Sequence, residues 1–328
     1  MYLKDRETDV LQQYNLNITG TGKARGGMLL LEDNRRYLLK ECVKSEPRLD
    51  FENQIHEMLM QEGNILSDYF IKNIEDGYIT QDSMQNSFII KRWYDAEECN
   101  PTDKESVCRA AGILGKFHKM LSGNVNSESI VPEKNLMEDY KRYNVELKRA
   151  KTFIRGKRHK SDFELKLMSE FDMFYDSCEE TVDLLANSNY TKMYEEAISK
   201  GEIVHGEFNH HNILRQKKDG KSVMINFDSA GVNLKIMDVY YFLRKVMEKN
   251  NWEIGIGINL LESYNNENNI SDDERKLLKI LLMYPEKFRK VVNHYYNGNK
   301  AWIPGKNMEK LILVHKQMEL REKFVKYL

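Results

Sequence analysis

Between Val204 and Leu214 the chain reads VHGEFNHHNIL, and from Ile225 to Gly231 it reads INFDSAG. An apolar residue precedes His205-Gly206-Glu207, and Asn212 follows the acid by five positions with Ile213-Leu214 after it. That order describes a loop entering a short strand, with a second strand beside it. Phosphoryl transfer uses such an arrangement: a loop acid accepts the substrate hydroxyl proton, a loop asparagine holds magnesium, and an aspartate on the next strand holds magnesium against the nucleotide phosphates. Here Glu207 and Asn212 take the catalytic positions, and Asn212, Asn226 and Asp228 are the candidate metal ligands. Asp228 belongs to the set because in an extended strand side chains two residues apart point the same way. The alternative is a buried structural loop in which His205 and Asn212 only satisfy backbone groups.

Phosphates need a second wall, and the N-terminal part supplies its elements. Residues 15–31 and 36–43 pattern as strands joined by the turn-forming Glu32-Asp33-Asn34-Arg35, a β-hairpin with a glycine-rich front end. Gly20, Gly22, Gly26 and Gly27 lie in that front end; Gly22 and Gly26 are the candidates for close approach to nucleotide phosphates, against plain hairpin duty. Lys40, late in the strand, is the candidate phosphate-gripping ammonium, against a lysine that merely faces solvent. Between Arg48 and Gly63 the apolar residues recur at helical spacing, and Gly63 is placed to end the helix. On that helix Glu52 is preferred over Glu57 as the partner of Lys40.

Residues 87–93 read as a further strand, after which YDAEECNPTD turns polar. A lobe boundary placed there gives a small lobe over residues 1–95 and a large lobe over 96–328. The rest is mostly amphipathic helix: Asp103 to Leu121, Met137 to Phe153, Asp162 to Leu185, Ile236 to Lys249, Ser271 to Met283, Glu286 to Tyr296 and Asn307 to Tyr327. Thr102-Asp103 punctuates the first start, and Ser271 with Glu274 forms a capping-box pattern. His118 reads as a packed helix-end histidine. His210 and His211, adjacent on a strand-like segment, point to opposite faces and do not converge on one ion.

With 328 residues, 41% of them hydrophobic, the chain can bury one large core or two lobes. Lysine and arginine total 50 against 51 acidic residues, so charge gives no reason to expect nucleic acid or an anionic membrane as partner. The N-terminus lacks an apolar h-region and no apolar run approaches a membrane span, so a soluble chain made in the cytoplasm is expected. Cys42, Cys99, Cys108 and Cys178 are scattered without metal or redox spacing and read as reduced structural thiols.

The strand lysine in YLLKE, FIIKRWYDAEECN, AAGILGKFH, HGEFNHHNIL, INFDSAG and IMDVYYFLRKVMEKNNW together resemble the aminoglycoside phosphotransferase and choline kinase superfamily, and within it the CotS-type spore coat family, to which the tail YPEKFRKVVNHYYNGNKAWIP is also similar. The resemblance implies an α+β, bilobal protein kinase-like fold: a small N-terminal antiparallel sheet lobe with one helix, and a large, mainly helical C-terminal lobe. It also implies nucleotide in the cleft, Asp238 bracing the catalytic loop, synthesis in the mother cell and a place in the spore coat among other coat proteins. The superfamily pattern carries Asp where this chain has Glu207 and Asn226. A glutamate reaches one methylene further, and a displacement of ~1 Å in catalytic geometry costs about a hundredfold in rate. An amide in place of a carboxylate offers magnesium only a neutral oxygen.

Two expectations follow. In the first, a kinase-fold coat or scaffold component carries a degenerate site with weak or absent ATP and magnesium binding, and Tyr-rich stretches such as YYFLRK and HYYNGNK offer contact surface, against a role as helix-core aromatics. In the second, an ATP- and magnesium-dependent small-molecule kinase uses Glu207 as base, Asn212 and Asp228 on magnesium and Lys40 on phosphates.

Overall fold

The structure is a computed structural model; it describes residues 5–328 except 124, 126–129, 133–134 and 299–303. Five tail residues, 299–303, of the coat-like motif therefore lie outside the described residues. In chain order the elements are α1 (Asp5–Leu11), β1 (Gly20–Ala24), β2 (Gly27–Glu32), β3 (Arg35–Glu41), α2 (Glu46–Glu62), β4 (Ile65–Ser67), β5 (Phe70–Ile71), β6 (Thr80–Gln81), β7 (Ser87–Trp93) and β8 (Ala96–Glu98). The helical part follows: α3 (Lys104–Leu121), α4 (Leu136–Gly156), α5 (Asp162–Ala186) and α6 (Tyr190–Lys200). After β9 (Ile203–Val204), β10 (Ile213–Gln216) and β11 (Ser222–Met224) come a 3₁₀ turn at Phe227–Ser229 and β12 (Gly231–Val232). The chain closes with α7 (Ile236–Lys249), α8 (Ile254–Asn265), α9 (Asp272–Met283), α10 (Glu286–Asn297) and α11 (Pro304–Tyr327).

The N-terminal sheet runs β1-β2-β3-β7-β5 with antiparallel pairing, and β6 also lies on β7. Alternation assigns its faces. Tyr37, Leu39, Phe88 and Ile90 pack with Val10 and Tyr14 of the α1 region, while Ile89 packs with Leu49 of α2. The small lobe thus has a helix on each face where the pattern announced one. Seven residues of α1 are too few to show a helical period; burial of Val10 against the sheet holds them.

A second sheet, β4-β11-β10-β8, joins the halves. Its centre is the hairpin β10–β11, which carries Asn212 at its entry and Asn226 beyond its exit. On one side β11 pairs in parallel with β4, Ser222 against Ile65; on the other β10 pairs antiparallel with β8, Leu214 against Glu98. The hairpin is therefore gripped by strands from the preceding part of the chain, one of them inside the polar segment 94–103.

Helix α3 buries Val107, Ala110, Ala111, Leu114, Phe117 and Leu121 at helical spacing in the main core, and each large apolar side chain so buried contributes about 1.5–3 kcal/mol before its entropy cost. Asp103 caps it by accepting the Ser106 N–H at 2.8 Å. The Ser271–Glu274 capping box is formed at α9. The sequence pattern did not show α6 or α8. In α8, Gly255 and Gly257 each cost about 1 kcal/mol of helix propensity, and packing overrides that cost: a Cβ at Gly257 would meet the Phe324 ring at 2.4 Å. Of the Tyr-rich stretches, Tyr240 is core, whereas Tyr296 is more than a third exposed.

Candidate active site

The loop from His205 to Asn212 is held from below. Asp238, in the first turn of α7 and fully buried, accepts the backbone N–H groups of His205 at 2.6 Å and Gly206 at 3.0 Å. Its Oδ2 also lies 3.1 Å from His118 Nε2, and His118 Nδ1 lies 2.8 Å from the Tyr264 hydroxyl. His118 is thus buried and built into the support of the loop. Burial pushes the His205 imidazole below its usual range, and its Nε2 lies 3.0 Å from the Ile225 carbonyl. Gly206 takes φ 74°, and a Cβ there would sit 2.0 Å from the Ser229 carbonyl oxygen, so the close approach of the loop to segment 226–230 requires glycine. Asn212 donates its Nδ2 to the Glu207 carbonyl at 2.9 Å, and its own carbonyl accepts the Ile225 N–H at 3.0 Å.

Glu207, Asn212, Asn226, Asp228, Lys40 and Gly26 line one cleft of about 440 Å³. Gly26 sits in the tight β1–β2 turn at φ 81°. Gly22 does not line the cleft: it is a β1 residue in register with Leu29, and its open side meets the Leu29 side chain.

The extended-strand expectation for Asn226 and Asp228 is corrected. Strand β11 ends at Met224, Asn226 adopts the left-handed region at φ 66° and ψ 60°, and Phe227–Ser229 turns as a 3₁₀ helix. Asparagine tolerates that backbone region better than most residues. Phe227 then plugs the core between His56 and His205, with ring centroids 5.1 and 4.9 Å away. The turn brings the Asp228 carboxylate to Lys40 of β3 and, at 2.6 Å, to Lys44 in the connection between β3 and α2. Burial favours the protonated acid, but Lys44 and Lys40 more than offset it and lower the Asp228 pKa.

The expected Lys40–Glu52 pair is likewise corrected. Glu52 is fully buried and bonded to Lys91 at 2.7 Å and to Lys44, while Glu57 is exposed and accepts a hydrogen bond from Asn53 at 2.7 Å. Lys91 comes from the centre of β7 and also meets Asp68 at 2.8 Å. Asp68 in turn accepts the Asn226 N–H at 3.1 Å. Burial alone would raise the Glu52 carboxyl, yet Lys91, His56 and Lys44 hold it well below the usual carboxylate range. Burial alone would lower the Lys91 ammonium, yet Asp68 and Glu52 hold it above the usual lysine range. Arg48, at the start of α2, donates to the carbonyls of Asp228, at 3.1 Å, and Ala230. Helix α2 is therefore tied to segment 226–230 by Arg48 and through Glu52–Lys91–Asp68.

Sequence reading missed Lys44, Lys91, Asp68 and Arg48. One signal was available: Lys91 follows Phe88-Ile89-Ile90, an apolar run whose alternate residues face opposite sides, as in a strand covered on both. The argument about His210 and His211 also changes. They lie in a turn, with ring centroids 3.9 Å apart, and His211 is paired with Glu98.

These residues do not fit a divalent cation as arranged. Asn226 is neutral and its Nδ2 faces Glu207 Oε2 at 3.4 Å, while the Asp228 carboxylate already carries two ammonium partners. Among the described residues there is no group of three or more His, Cys, Asp or Glu side chains placed to hold a metal ion. Magnesium in phosphoryl-transfer sites is held by one or two carboxylates together with substrate phosphates.

The sequence profile described as spore coat putative kinase YutH matches residues 7–328. The chain belongs to that family. Searching curated proteins gives no match. Among solved structures, an aminoglycoside phosphotransferase from Alicyclobacillus acidocaldarius is 18% identical, with 98% of this chain and 94% of that one covered and a TM-score of 0.86. A spectinomycin phosphotransferase in complex with ADP and spectinomycin is 12% identical, with 96% and 95% covered and a TM-score of 0.64. The choline kinase of Streptococcus pneumoniae is 13% identical, with 98% of both chains covered and a TM-score of 0.51. At these identities the likeness is one of fold, and the fold is that of kinase-like phosphotransferases. No helix among the described residues is long and apolar enough to cross a membrane.

Proposed function

We propose that this protein is a kinase-fold component of the spore coat whose phosphotransfer site is degenerate and whose role is structural, as a scaffold among other coat proteins. The family supports the coat setting. The observation that carries the degenerate site is the state of Asp228, paired to Lys40 and Lys44 beside the neutral Asn226. Glu207 and Asn226 explain each other: the longer acid brings its carboxylate toward position 226, where an amide donates to it and a second carboxylate would repel it. The two departures are thus mutually compatible, and the one at position 226 takes a carboxylate out of the candidate metal-ligand set.

A second reading, a working ATP- and magnesium-dependent small-molecule kinase, is favoured by the convergence of Lys40, Glu207, Asn212, Asn226 and Asp228 on one cleft. There Glu207 would take the proton of an acceptor hydroxyl and Lys40 would hold phosphates. Turnover separates the two. Purified protein is given magnesium, radiolabelled ATP and a panel of aminoglycosides, choline and simple amino alcohols. The scaffold reading expects no transfer above the protein-free blank, and product accumulating over many turnovers would refute it.

A further inference from the structure

We infer that the cleft binds the phosphates of a nucleotide without a divalent cation, with Lys44 supplying in fixed form the positive charge at Asp228 that a metal would otherwise bring. The inference rests on the reading of the cleft as a nucleotide pocket and goes beyond it by specifying the ionic form of the ligand: metal-free nucleoside triphosphate.

Three observations carry it. The first is the position of Lys44. It lies just past β3, four residues after Lys40, with its side chain largely buried, and its Nζ bridges Glu52 of α2 and Asp228 of the 3₁₀ turn. An ammonium that bridges two carboxylates from different elements is built into the fold. The second is charge. Lys40, Lys44 and Lys91 interlock with Glu52, Asp68 and Asp228, so each carboxylate has an ammonium within bonding distance. A divalent ion entering there would have to displace a lysine from Asp228 and shed part of its own hydration shell, which magnesium does reluctantly. The third is donor capacity. An ammonium has three N–H donors. Lys40, which lines the cleft, uses one on Asp228 and keeps two; Lys44 uses one on Glu52 and forms an ion pair with Asp228 at 2.6 Å. Lys23 of β1 and Arg25 and Gly26 of the β1–β2 turn line the same cleft, together with the apolar side chains of Leu38, Leu214 and Ile225. A lining that combines cationic donors with apolar side chains suits an anionic tail carried on a flat, weakly polar body.

Isothermal titration calorimetry of the full-length protein with ATP, once in EDTA and once in excess magnesium, is the test. The expected affinity in EDTA equals or exceeds that in magnesium, within about threefold. A loss of tenfold or more in EDTA overturns the inference, and so does a lack of binding in both buffers, which leaves the scaffold reading standing. Lys44→Met frees one side of Asp228, and its ATP binding is expected to weaken at least tenfold in EDTA and to recover in part with magnesium. Lys44→Arg keeps the charge and covers the case in which the methionine variant does not fold; it is expected to remain insensitive to EDTA, and acquired magnesium dependence there would overturn the assignment. Multiple-turnover phosphotransfer, by contrast, would overturn the degenerate-site reading even with metal-free binding intact.

Discussion

Replacing Lys91 by methionine removes an ammonium that is 2% exposed from between Glu52 and Asp68, themselves 0% and 3% exposed. Breaking a buried ion pair by deleting one partner typically costs 3–5 kcal/mol, because the other charge is left without compensation. Here two carboxylates are stranded unequally. Glu52 keeps Lys44 and His56, whereas Asp68 keeps the Asn226 N–H. A loss of about 3–5 kcal/mol at pH 7.5 is expected, measured by urea unfolding monitored through tryptophan fluorescence. The pH dependence has a definite sign. The folded Glu52 carboxyl is held below its ordinary value of 4.5, so its contribution is present above that pH and is lost as pH falls through the folded value. The folded Lys91 ammonium is held above 10.5, so its contribution is complete below that pH and is lost as pH rises through the folded value. The gap between wild type and Lys91→Met is therefore widest between about pH 5 and 10 and narrows toward acid, where the stranded carboxylates take up protons. Adding Glu52→Gln and Asp68→Asn to Lys91→Met should recover most of the loss, since no buried charge is then unpaired. A cost below about 1 kcal/mol for the single variant at pH 7.5 would refute the description of the three residues as a desolvated unit.

Asn226→Asp places a second carboxylate where the amide now donates to Glu207; magnesium is expected to raise the melting temperature of this variant relative to EDTA while leaving that of wild type unchanged, as read by scanning calorimetry. Asp238→Ala removes the acceptor of the His205 and Gly206 N–H groups and should destabilise by about 3 kcal/mol in chemical denaturation, with loss of amide-exchange protection concentrated in residues 204–212. Ser271→Ala breaks the capping box of α9 and should cost about 1 kcal/mol in the same denaturation assay, without altering the cleft.

The parts of the fold that could be read from sequence are those in which one local period persists long enough. Helix α7 matched its expected limits, Ile236 to Lys249, because its apolar stripe runs its full length, and the start of α9 was marked by the Ser271–Glu274 capping pattern. Helices α1, α6 and α8 were not legible. The first is too short for a period, and the glycines of α8 contradict a helix until Phe324 is in place above Gly257. In the site, HGE and the following asparagine located the loop because their spacing is fixed by a local turn. Ion pairing was illegible for the opposite reason: Lys40 reaches Asp228 across 188 positions, and Lys91 reaches Glu52 across 39, so partners are chosen by sheet register and helix rotation. The wrong inference about Asp228 came from extending the strand past Met224, where Asn226 takes a left-handed backbone that sequence alone does not announce.

A crystal structure of the protein grown with magnesium and a non-hydrolysable ATP analogue tests the central claim most directly. The arrangement described here predicts Lys44 still bridging Glu52 and Asp228, Lys40 on a phosphate oxygen, and no octahedral ion between position 226, Asp228 and the phosphates. A magnesium ion ligated by Asn226, Asp228 and Asn212, with Lys44 displaced, would contradict it.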